Sequence, residues 1–202
     1  MTVNHSKTGI YRIFLALTCI SLGSVSPSRG SGRLETLYTN FGSPPVKYVL
    51  GGWIEEGQSQ SSGQANVFSF TVPQQSIARG IELALTGATH GTPVTIELAQ
   101  DGADRPGKVV FSRKIIVPEI NKCCRTVYVN IPKSKNVKLQ PGLTYWAVTL
   151  AAPNTSAAWN FNSTNAHDPM SRSYDNGHTW SHAFITKYLN GAFAVYGIPT
   201  GN

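Results

Sequence analysis

An all-β chain, an antiparallel β-sandwich of jelly-roll-like form, is predicted by three features of the sequence. Short segments alternate apolar and polar residues with a period of two, the mark of strands with one buried face. Turn-forming residues separate these segments, with Gly 19 and Pro 12 among 202 residues. Beyond residues 13–22, no stretch keeps a helical period for the ~10–12 residues a helix needs. The length suits one domain with a single core.

Residues 1–30 are expected to be a signal peptide, with one β-sandwich domain over 31–202. His5, Lys7 and Arg12 form a basic start. Residues 13–22 form an apolar run too short to span a bilayer. Gly23, Ser24, Ser26, Ser28 and Gly30 then supply small residues for cleavage. The mature protein is therefore expected to be secreted, with no membrane span after signal removal and no sorting tail over 196–202. Once the leader is gone, the cysteines left are the adjacent Cys123 and Cys124. Neither a disulfide framework nor a four-ligand zinc site follows from such a pair. A vicinal disulfide, two thiols and a bridge to another chain all stay open.

In chain order, residues 34–42 read as a short strand. Pro44 and Pro45 break it, and Gly51-Gly52 reads as a turn before Trp53 and Ile54. Over 67–72, Val67, Ser69 and Thr71 take one face and Phe68, Phe70 and Val72 the other. Ile81, Leu83 and Leu85 point inward, as do Val94, Ile96 and Leu98. Residues 101–107 form a loop and 109–117 a further strand, stopped by Pro118. Val127, Val129 and Ile131 alternate inward, and 132–136 is a basic turn. Trp146, Val148 and Leu150 oppose Tyr145, Ala147 and Thr149. Ala157, Trp159 and Phe161 share a face, and segments 183–185 and 192–196 close the fold. About ten short strands result, spaced as in a sandwich or barrel.

Between the last two groups lies Ser173-Tyr174-Asp175-Asn176-Gly177-His178-Thr179-Trp180. Asp175 is placed to accept hydrogen bonds from its own turn. Gly177 supplies a positive φ, and Asn-Gly is a hairpin signal. Thr179 and Trp180 are expected to begin the return strand, with Trp180 capping its apolar side. Through Ser173, Asp175, Gly177, Thr179 and Trp180 the stretch resembles the Asp-box of sialidases and related repeat proteins. That resemblance implies a structural hairpin, usually far from an active site.

Further landmarks are Asn40-Phe41-Gly42, Gly51-Gly52-Trp53, Arg105-Pro106-Gly107, residues 139–146, Ala158-Trp159-Asn160-Phe161-Asn162 and Ala192-Phe193-Ala194-Val195. With the Asp-box, these resemble the choice-of-anchor secreted bacterial domains, notably the R type, over nearly all of residues 31–202. The resemblance implies a secreted β-sandwich without an assigned biochemical role.

No catalytic constellation stands out, and the chain is expected not to be an enzyme. Glycosidase chemistry needs two facing carboxylates ~5–10 Å apart. Glu82 and Glu97 meet that need only if their strands pair. His178 and His182, four apart in extended chain, lie ~13 Å apart, too far for one metal. No metal or cofactor is expected. The formal charge is +7, but the leader holds three basic residues; from residue 31 on, fourteen basic face ten acidic residues. That mild excess does not imply nucleic acid. A basic band from Arg105 to Lys138 suits an anionic polymer. Trp53, beside two glycines, and Tyr174 and His178, at variable positions of the Asp-box, are the candidate ligand-binding residues. The expected role is extracellular binding or surface association, with a polysaccharide or cell-surface polymer as partner. The alternatives are a glycoside hydrolase of sialidase-like chemistry and a structural matrix protein.

Overall fold

Period-two alternation builds two antiparallel sheets that close over one apolar interior. The computed structural model describes residues 32–44, 47–58, 62–88, 91–118 and 126–200. The expectations for the leader and for Cys123 and Cys124 lie outside them. Strands are numbered in chain order. The smaller sheet runs β1 (Glu35–Thr39), β13 (Phe193–Pro199), β4 (Ser76–Leu83) and β8 (Val127–Asn130), with β9 (Lys138–Leu139) also on β4. The larger runs β5 (Leu85–Gly87), β11 (Thr155–Asn162), β2 (Tyr48–Gly57), β3 (Gly63–Phe70), β10 (Tyr145–Ala151), β6 (Thr92–Asp101) and β7 (Pro106–Val117), with β12 (Met170–Ser173) also on β3. This is a jelly-roll-like β-sandwich, and no α-helix occurs among the described residues.

The core holds the expected inward residues Ile81, Leu83 and Leu85, Val94, Ile96 and Leu98, and it also takes the Phe68 and Phe70 face of β3 and the Tyr145 face of β10. Trp159 and Phe193 pack at its centre with ring centroids 5.7 Å apart. The chain changes sheets at Ala84. Its N–H donates to Ala192 O and its carbonyl accepts from Asn160. Leu83 and Leu85 thus reach the same core from different sheets.

Three local expectations differ from what forms. Gly51 and Gly52 lie inside β2, where pairing with β11 slips between Asn160 and Phe161. Gly51 has φ 90°, and a Cβ on Gly52 would sit 1.9 Å from Trp159 O. The glycine pair serves a bulge and a close backbone approach instead of a turn. Residues 183–185 contribute one bridge, Phe184 to Met170, and no strand. Residues 179–182 likewise form no return strand: Ser181 N–H donates to Arg172 O, and Ser171 Oγ donates to Ser181 O. Hydroxyls there replace part of a strand ladder.

This irregular segment forms a third layer. Val67, Ala99, Trp146 and Val148, on the outer face of the larger sheet, make a second buried apolar cluster beneath Leu150, Trp180 and Ala183.

Candidate ligand-binding mouth

Alternation along β12 decides which of its side chains faces inward. Met170 belongs to the core, so Arg172 two residues on shares its side of the sheet, opposite Asn66 of β3. There the guanidinium is half-buried. Its Nε donates to Asn66 Oδ1 at 3.0 Å and Nη1 donates to the Tyr174 hydroxyl at 3.2 Å. Its carbon lies 5.2 Å from the Trp53 ring centroid and 5.9 Å from that of Tyr174. Among the described residues no carboxylate is paired with it. A cation is thus held by neutral groups and two aromatic rings.

Trp53 comes from β2, just past the bulge, and is half-buried. Its Nε1–H donates to Leu189 O at 2.9 Å, and Tyr188 packs edge-on at 5.9 Å. The segment carrying Tyr188 is tied down. His167 Nδ1 lies 3.2 Å from Thr186 O and 3.1 Å from Tyr188 O, so Nδ1 must carry the proton. Asn190 Nδ2 donates to Asp168 O. Tyr174 and Tyr188 remain 67% and 54% exposed. The mouth therefore offers one open phenol ring, Tyr174, beside a fixed guanidinium, and a second, Tyr188, packed on Trp53.

Glu55 lies beneath it, 0% exposed. Asn66 N–H donates to Glu55 Oε2 at 2.8 Å, and Asn66 Nδ2 approaches Oε1 at 3.4 Å. Asn66 therefore connects Glu55 to Arg172. Burial pushes the Glu55 carboxyl well above the usual range, against the opposing pull of Asn66, Thr149 and Arg172.

The Asp-box stretch forms the turn next to this mouth. Asn176 and Gly177 both have positive φ, 56° and 89°. Ser173 Oγ donates to Asp175 Oδ1 and accepts from Gly177 N–H at 2.8 Å. Thr179 supplies Asp175 with both its hydroxyl, at 2.6 Å, and its N–H, at 2.8 Å. These bonds, Thr179 first, hold the Asp175 carboxyl down at about 2. Trp180 turns onto the outer cluster. Of the three candidate binding residues, Trp53 and Tyr174 meet around Arg172. His178 does not join them; it lines a separate small cleft with Arg105, Pro106, Thr179 and Trp180.

The remaining candidates are dispersed. Glu82 lies on β4 and Glu97 on β6, in different sheets, so they do not face each other. Glu82 accepts from Tyr196 at 2.6 Å, from Thr126, and from Lys47 at 3.5 Å. Burial raises its pKa, but these donors outweigh burial and hold it low. Burial and the neighbouring Glu82 push the Tyr196 phenol up, which opposes a nucleophilic role. Trp146 and Trp159 are buried. A cleft of about 280 Å³ brings Asp101, Asp104 and Asp168 near Tyr38 and Trp146. Its carboxylates are engaged: Trp146 Nε1 donates to Asp101 at 2.8 Å and Tyr38 to Asp168 at 2.7 Å. Among the described residues no three His, Cys, Asp or Glu side chains group as metal ligands. Nor is any helix among them long and apolar enough to cross a membrane.

Arg172, Asn66, Glu55 and Tyr188 were not legible as a site. One signal was available: an arginine sharing a strand face with Met170 has to find polar partners at the edge of the core.

No protein-family model matches the chain, and no curated protein sequence matches it. Among solved structures, the VP2 subviral particle of infectious bursal disease virus is similar at TM-score 0.36 and 15% identity over 92% of this chain. T=1 particles derived from the same virus are similar at TM-score 0.33 and 12% identity, also over 92%. This chain spans 46% and 45% of the length of those two chains. At this degree of likeness they assign neither a family nor an activity.

Proposed function

We propose that this protein is a secreted, non-catalytic binding module that holds an extracellular polysaccharide or other cell-surface polymer at the Trp53–Arg172–Tyr174 mouth. One observation carries this: a half-buried guanidinium lies between two aromatic rings with no carboxylate paired to it among the described residues. Leaving such a charge unpaired is costly unless a ligand completes it. The resemblance to choice-of-anchor domains and the leader-like residues 1–30 support an extracellular setting. A glycan array and a salt titration on a polyanion column test the reading. At least one ligand class should be retained, and Tyr174→Ala should weaken that retention; no retention of any class removes the claim.

A second reading, glycoside hydrolysis, is favoured by one feature: Asp101 and Asp168 line the same cleft. A screen of chromogenic glycosides separates the two. Turnover abolished by Asp101→Asn or Asp168→Asn would establish the hydrolase.

A further inference from the structure

Arg172 uses its Nε on Asn66 and one Nη1 hydrogen on Tyr174, out of the five N–H donors of a guanidinium. The rest remain for an oxyanion, which a guanidinium fork grips with two parallel bonds. The exposed Tyr174 ring beside it offers an apolar face of sugar size. Directly below, Glu55 shares Asn66 with Arg172. Thr149 Oγ1 is buried beside Glu55, within its electrostatic reach. A protonated Glu55 would donate to that hydroxyl, and an ionised one would accept from it.

We propose that the mouth takes an anionic sugar unit, its carboxylate or sulfate on Arg172 and its ring face on Tyr174, and that Glu55 makes this capture stronger in acid. The proposal rests on the binding reading above and specifies its ligand class. With Glu55 protonated, the guanidinium charge is uncompensated and attracts the anion. With Glu55 ionised, its charge offsets Arg172 and repels the ligand. Burial favours the protonated form and raises the Glu55 carboxyl well above its ordinary value.

The groups around Glu55 leave it as the titrating centre. Asn66 faces it from β3, Thr149 from β10, Ala157 pairs with it from β11, and Arg172 approaches from β12. Around the guanidinium stand Trp53 and Tyr174, and Tyr188, with Lys187 over its ring, packs on Trp53. In the adjoining turn, Asp175 is engaged by Ser173 and Thr179, and His178 lies near enough to influence it. A Glu55→Gln variant separates Glu55 from His178.

The test is calorimetric titration of the purified protein with oligogalacturonate, a sulfated dextran oligomer and neutral dextran at pH 5 and pH 8. Wild type should bind at least one of the two anions at pH 5, and about tenfold more weakly at pH 8 if the ligand raises Glu55 by about one pKa unit. Whichever binds identifies the oxyanion. Glu55→Gln should keep the stronger affinity at both pH values. Arg172→Gln should lose about ten- to a hundredfold at pH 5. Tyr174→Ala, at an exposed position, should weaken binding without disturbing the fold. Neutral dextran binding as tightly as the anions would overturn this inference and leave the binding reading standing. Wild-type pH dependence in Glu55→Gln, or undiminished affinity in both Arg172→Gln and Tyr174→Ala, would also overturn it. Silence with all three ligands would remove it, while retention of another class on the glycan array would leave the broader reading standing.

Discussion

Asp175 shows how one carboxylate is made part of a turn. Its two oxygens accept from the Thr179 hydroxyl, the Thr179 N–H and Ser173 Oγ. These bonds lower its pKa from 3.8 to about 2. A folded pKa below the unfolded one gives stability that is complete above the unfolded value. That stability drains as pH falls from about 4 towards about 2. Asp175→Asn should therefore lower the melting temperature at pH 7 and flatten the wild-type loss of stability between pH 4 and 2. Melting curves across that range check it; equal slopes for the two proteins would mean the turn does not depend on the charge. The role of this residue was legible because serine, aspartate, glycine and threonine have turn chemistry tied to local spacing. That of Arg172 was not, because Asn66 lies 106 positions away and such a partner leaves no local mark.

Whole elements were legible where one face alone is buried, as in β4, β6 and β8. They were misread where glycine has two meanings. Gly51-Gly52 carries the same letters whether it ends a strand or bends one. In β2 it bends one, since the backbone of β11 passes too close for any side chain. A Cβ at Gly52 would lie 1.9 Å from Trp159 O and 2.5 Å from its carbonyl carbon. Neither atom can swing aside, so the strands must part. Gly52→Ala should cost about 1–3 kcal/mol or more, read as a shift in the denaturation midpoint. It should also weaken ligand capture, because Trp53 is the next residue and its hydrogen bond to Leu189 O depends on that register. A neutral substitution would show that the bulge relaxes, and with it the placement of Trp53.

At the scale of the molecule, the sequence revealed the main interior but not the layer outside it. Trp146 and Val148 alternate with Tyr145 and Ala147, and both sets are apolar, so alternation alone left open what covers the second face. The cover is residues 176–184, which have no strand ladder of their own and are anchored on the outer cluster by Trp180. The large sheet around β3 and β10 is therefore buried on both sides by different means: a sheet within, an irregular strap without. Such a strap owes its place to a few side chains and should open separately from the sandwich. Trp180→Ala removes its largest anchor. Because that side chain is half-buried, the cost should fall near 1–3 kcal/mol, below the full loss for a core tryptophan. Far-ultraviolet circular dichroism should stay unchanged. Limited proteolysis should cut faster within 176–184, and the uncovered cluster should bind a hydrophobic dye. Tyr174 leads into this strap, so anion capture at Arg172 should weaken in the same variant. Cleavage spread evenly over the chain would instead mean that strap and sandwich unfold as one unit, and that the outer layer is as integral as the core.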